Sequence, residues 1–228
     1  MWRVLVLVAV LATGCGLPRD VDGTSERVRG GVVRVGVAEN RPWTRVGDGG
    51  EVSGVEVELV RRLAERVGAR VEWTVGAESS LMAAVGERQL DLVVGGLEGN
   101  SPWIEEASLT RPYAVTKVVV AAAGDVPEDL AGVRVAVRAG TDEAAALAEE
   151  DAVVVPVEEV GEARDLPVAV DDWRTAGLGL RAGKQVLVER SHVWALPLGE
   201  NGWQVEVERF LAELPGGEVE RLLAEEAA

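Results

Sequence analysis

The sequence predicts an α/β protein of two lobes, each built on its own sheet and joined to the other by two hinge segments. Three observations predict it. The first hundred residues alternate strand and helix, a second strand–turn–helix unit opens near residue 130, and two apolar extended stretches connect the units. Alternation of this kind implies parallel strands with right-handed crossovers. Each unit alone is too small for a full domain, so the pair reads as two lobes with a cleft between them.

The elements follow in order. VVRVGV, around residues 34–37, reads as the first strand. In VEVELVRRLAERVG, Val55, Leu59, Leu63 and Val67 fall on one helical face, and Gly68 ends the helix as its C-cap. RVEWTV alternates as a strand, 81–88 reads as a short helix, and LVVGGL (92–97) as a buried strand. In the second unit, GVRVAVRAGTDEAAALAEE gives a strand, a glycine turn and a helix capped by Thr141, with Asp142 and Glu143 suiting its dipole. Further strands are expected at 153–157, 168–170 and 185–189, a helix at 173–182, and one strand and two helices after His192.

The ends and the charge bound the class. Residues 1–14, MWRVLVLVAVLATG, have a charged start, an apolar middle too short to span a bilayer as a helix, and a small-residue exit, which predicts a secretory signal. Ala12-Thr13-Gly14-Cys15 resembles the lipobox of bacterial lipoproteins, and this resemblance implies lipidation of Cys15, the single cysteine. Residues 15–31 then read as a lipidated, flexible tether. The chain has 23 basic and 39 acidic residues, a formal charge of −16, which makes nucleic acid and anionic membrane surfaces poor partners. The expected layout is signal 1–14, tether 15–31, lobe one at 32–114 plus 193–228, lobe two at 124–186, and hinge strands at 115–123 and 187–192.

Open α/β sheets bind ligands beyond the carboxyl ends of their strands, and two lobes of this kind close on what they bind. Gly95 and Gly96 end a strand there, where missing side chains let the backbone approach a ligand. Trp43 either stacks on a ligand or covers the edge of the sheet. Trp103 is a pocket wall or a loop anchor, and Glu98 a counter-ion for a cationic ligand or a solvated acid. Thr141 offers a hydroxyl and a helix N-terminus to an anionic group, or is a plain N-cap. His192, the only histidine, reads as structural, and no metal site is expected.

Several segments together resemble the family 3 extracellular solute-binding proteins, receptors of polar amino-acid ABC importers. They are VGVAENRPW, GVEVELVRRLAERVG, ERQLDLVVGGL with RPY after it, LAGVRVAVRAGT, VAVDDW and VWALPLGENGWQVEVERFLAEL. The likeness spans about residues 32–225. It implies a type II periplasmic-binding-protein-like fold, binding and closure without catalysis or cofactor, and delivery of a small polar solute to permease transmembrane subunits. It also implies a monomer outside the cytoplasm that meets the membrane only through its lipid. In the family an arginine past the lobe-one tip clamps the ligand's α-carboxylate. The matching position holds Trp103 here, and Glu98 stands at a family threonine. The resemblance assigns Asp171, with Asp172 as fallback, to grip an ammonium group. Arg41 and Arg138 are the candidates to replace the clamp. Glu98 and Asp171, with Glu39 near the same cleft, favour a cationic or amine-like solute. Two other readings stand beside the receptor: a sensor or interaction module with a degenerate site, and, less favoured, an enzyme of the same fold such as a dehydratase.

Overall fold

The computed structural model describes residues 20–100, 102–163 and 165–226. The signal 1–14 and Cys15 lie outside the described residues. The elements are α1 (Thr24–Val28), β1 (Val32–Val37), β2 (Arg45–Val46), β3 (Val52–Ser53), α2 (Val55–Val67), β4 (Arg70–Val75), α3 (Glu78–Gly86) and β5 (Leu92–Val94). They continue with β6 (Ser108–Leu109), β7 (Ala114–Ala122), β8 (Arg134–Arg138), α4 (Asp142–Glu149), β9 (Val153–Val157) and β10 (Val168–Asp171). β11 (Arg181–His192), β12 (Ala195–Leu196), α5 (Asn201–Ala212) and α6 (Glu218–Glu226) complete the chain.

Two five-stranded sheets form. In the first, β4-β1-β5-β12-β6, β1 lies parallel to β4 and β5, while β12 is antiparallel to β5 and β6. In the second, β11-β7-β10-β8-β9, β8, β9 and β10 are parallel, and β7 is antiparallel to β10 and β11. The fold is the two-lobed α/β architecture expected. Residues 115–122 lie in β7 and 187–192 in β11, and these two strands pair with each other.

Local pattern explains the first sheet well. Alternation sends Val33, Val35 and Val37 of β1 to one core with Leu59 and Leu63 of α2, while Val93 joins Leu81, Met82 and Val85 on the other face. Gly68 closes α2 with φ 68°, the left-handed conformation a C-cap needs. Lobe two is thinner: α4 covers one face through Leu147, and the other face is covered by a short 3-10 turn at Val160–Glu162 with Leu166, Leu178 and Leu180.

Three expectations need correction. Residues 173–182 are not helical. A 3-10 turn (Asp172–Arg174) gives way to β11 at Arg181, because Gly177 and Gly179 (φ 67°) weaken a helix and β7 offers a long pairing edge. β5 stops at Val94, because Gly96 (φ 65°) leaves the extended region.

The described part of the tether, residues 20–31, is folded. Val28 is wholly buried in the main core, and the Asp22 and Thr24 amides donate to the buried carboxylate of Glu200. Arg27 joins Arg34 on the buried carboxylate of Asp91. Burial opposes ionisation of Asp91, but its hydrogen bonds with Arg34 and Arg27 outweigh it and hold the carboxyl below its usual value. A helix of five residues is too short to show periodicity, so only these distant partners reveal it. Among the described residues, no helix is long and apolar enough to cross a membrane.

Candidate functional site

On lobe one the site begins where β5 ends. The Gly95 and Gly96 amides each donate to Glu56 Oε2 at 2.7 Å. Tyr113 Oη at 2.7 Å and Trp194 Nε1 at 3.1 Å donate to the other oxygen. Glu56 is in the first turn of α2 and wholly buried. Burial raises its pKa, and the four donors work against that rise.

A Cβ on Gly96 would lie 2.5 Å from Trp43 Cδ1, and one on Gly95 would lie 2.8 Å from Ala38 Cβ. The glycines therefore admit the protein's own side chains, a reason the strand pattern did not disclose. Trp43 is 6% exposed, edge-on to Tyr113 and 4.0 Å from the His192 ring. His192 in turn forms a backbone bridge with Glu98.

Glu98 bridges to His192, with Leu97 and Gly99 hydrogen-bonded to Val193 and Ser191 on either side. This brings its carboxylate to the end of β11 and to Arg190. Arg190 is the residue sequence reasoning missed. Its guanidinium lies 2.6 Å from Asp142, 2.7 Å from Glu143, 3.4 Å from Glu98 and 3.9 Å from Asp171. Its side chain is 17% exposed. Nothing local marks it: it is one charge in the stretch VERSH, whereas Arg41 and Arg138 stand beside recognisable turns. Arg41 and Glu39 are instead exposed and paired with each other at 3.5 Å.

Lobe two contributes a cavity of about 120 Å³ at the carboxyl ends of β8 and β10, lined by Arg138, Thr141, Glu143, Glu158, Asp171 and Arg174 among others. Thr141 occupies the N-cap position of α4, but its hydroxyl donates to the Arg138 carbonyl at 2.9 Å rather than to a helix amide. Asp172, the fallback acid, accepts from the Trp173 amide at 2.8 Å. Asp171 faces the cavity.

Burial raises the pKa of Asp171 and of Glu98, with Arg190 opposing both rises. Burial also opposes ionisation of Glu143, yet its carboxyl lies below its usual value, with the Arg190 hydrogen bond and charge pulling it down. Glu143 Oε2 is buried with no hydrogen bond.

The structure thus brings Glu98 and Asp171 to Arg190, puts Thr141 with Asp171 in the cavity lining, packs Trp43 against Gly96 and His192, and sets Trp103 in a 3-10 turn (Pro102–Glu105), its side chain outside the described set. Among the described residues no group of three or more His, Cys, Asp or Glu is arranged to hold a metal ion.

Comparison with known proteins places this geometry. Residues 33–224 match the family described as bacterial extracellular solute-binding proteins, family 3. The chain is 27% identical over 157 residues to "Probable amino-acid-binding protein YxeM" of Bacillus subtilis (strain 168), covering 66% of this chain and 58% of that protein. It is 28% identical over 103 residues to "ABC transporter arginine-binding protein 1" of Escherichia coli (strain K12), covering 44% and 42%. The chain thus spans about half the length of the curated relatives it matches. Its fold is shared with the L-cystine solute receptor of Neisseria gonorrhoeae in the unliganded open conformation, with TM-score 0.71 and 20% identity over 87% of this chain and 96% of that one. A match over nearly the whole described length, on a two-sheet fold with charged side chains gathered at its strand ends, shows that the chain belongs to the family 3 bacterial extracellular solute-binding proteins.

Proposed function

We propose that the protein is a lipid-anchored receptor outside the cytoplasm that takes a small polar solute with a cationic group, an amino acid or an amine, between its lobes. It then delivers the solute to an ABC permease. The work is binding and closure, with no bond made or broken. One observation carries the reading: four carboxylates, from the lobe-one loop, the α4 N-terminus and the end of β10, converge on a single guanidinium. The surplus negative charge favours a cation over an anion. The name of the arginine-binding relative points the same way.

Titration calorimetry and thermal unfolding with arginine, lysine, putrescine and glutamate test it. At a hundredfold excess over Kd, a cationic ligand should add about 2.7 kcal/mol. That raises Tm by roughly 5–10 °C for a chain of this size. Stabilisation by glutamate alone would overturn the reading. The anchor has its own test: Cys15→Ser should move the protein from the membrane fraction to the soluble fraction of cells, and unchanged membrane association would exclude lipid at Cys15.

A second reading, a module that no longer takes solute, draws on the fact that Arg190 already satisfies much of the site. A thermal screen in which none of the four compounds moves Tm would select it.

A further inference from the structure

We infer that Arg190 is a built-in stand-in for the ligand's cationic group, which a cationic solute must displace, and that this competition sets the specificity of the cleft. The identity of the solute rests on the receptor reading above; the stand-in role does not.

Arg190 is held from below. Its backbone pairs in register with Thr116 of β7, so the guanidinium reaches the carboxylates from a fixed strand. Its contacts are uneven. Asp142 and Glu143 take true hydrogen bonds at 2.6 and 2.7 Å, whereas Glu98 at 3.4 Å and Asp171 at 3.9 Å are ion pairs only. Each ionised carboxylate has about four acceptor sites, and one guanidinium has five N–H donors, so the fork cannot satisfy all four acids. Glu143 Oε2 is the visible remainder, buried without a partner. Withdrawing the arginine would leave Glu143 and Asp171, 15% and 31% exposed, without their cation, which is costly unless another takes its place. An anion could bind the guanidinium only by stripping it from these acids.

This predicts a vacancy that free guanidinium can fill. Arg190→Ala should melt below the wild type, and millimolar methylguanidinium chloride should raise its Tm by several degrees more than equal sodium chloride. The wild type should show no such difference. With the internal competitor gone, arginine should bind the variant about tenfold more tightly by calorimetry, because no fraction of the protein is blocked.

Equal responses of the two proteins to methylguanidinium would overturn the inference. So would weaker arginine binding by the variant, since Arg190 would then be a ligand contact. Rescue by methylguanidinium without arginine binding to either protein would sustain the stand-in and reject the receptor reading for arginine. If Arg190→Ala does not fold, Arg190→Lys keeps the charge without the fork; tighter arginine binding than wild type supports the inference, and weaker binding overturns it.

Discussion

Glu56→Gln is expected to destabilise the protein by about 2–6 kcal/mol, because two buried donors lose their acceptor at about 1–3 kcal/mol each. The carboxylate accepts four hydrogen bonds, two at each oxygen. An amide keeps one acceptor and turns its NH2 toward either the Gly95 and Gly96 amides or the Tyr113 and Trp194 donors. Against a total stability of about 5–15 kcal/mol, this is a large fraction. Urea unfolding should show a lower midpoint with an unchanged slope. Tyr113→Phe, which removes only one donor, should cost far less than Glu56→Gln. A near-neutral Glu56→Gln would show that the native side chain is protonated, since Gln mimics a neutral acid, and the four-donor picture would fail. The loop from Gly95 to Glu98 hangs on this carboxylate, so the same variant should weaken solute binding.

The second large effect is acid sensitivity centred on His192. The ring is 3% exposed, packed on Trp43 and hydrogen-bonded through Nε2 to Thr116 at 2.9 Å. Burial lowers its pKa from 6.5 to about 4; the Gly96 backbone opposes that shift and nearby Arg190 adds to it. A base with a depressed folded pKa gives its full stability above the unfolded value, 6.5, and loses it as pH falls toward 4. The loss approaches about 3 kcal/mol at 1.36 kcal/mol per unit. Glu98 and Asp171 act in the opposite sense: their pKa values are raised by burial, so their contribution is present at low pH and declines as pH rises. The informative quantity is therefore the difference between wild type and His192→Gln. Chemical unfolding at pH 7 and at pH 4 should show a larger acid loss in the wild type; parallel pH profiles would reject a neutral, buried His192.

Much of the fold was legible because it is local. The 2.0-residue period of VVRVGV and RVEWTV and the 3.6-residue period of α2 need only neighbours along the chain, and the structure has both strands and the helix there. The helix expected at 173–182 fails in part locally, at Gly177 and Gly179, and in part because its last residues, Arg181 and Ala182, pair with β7 more than fifty residues away. Glu98, Thr141 and Asp171 were nameable from their places at strand tips and from family resemblance. Arg190, which reaches Glu98 and Asp171, was not.

The sequence by itself determined the α/β alternation, the two units, and the strand ends that carry Gly95, Gly96 and Asp171. Tertiary structure alone decided which charges meet. Glu56 reads in VEVEL as one more solvent-facing acid, yet its donors lie 39, 40, 57 and 138 positions away. Arg190 reads as an edge charge until lobe one brings Glu98 and lobe two brings Asp142, Glu143 and Asp171 to its guanidinium. Periodicity reports how a residue faces its own element, whereas a buried charge is settled by partners that only the folded chain assembles.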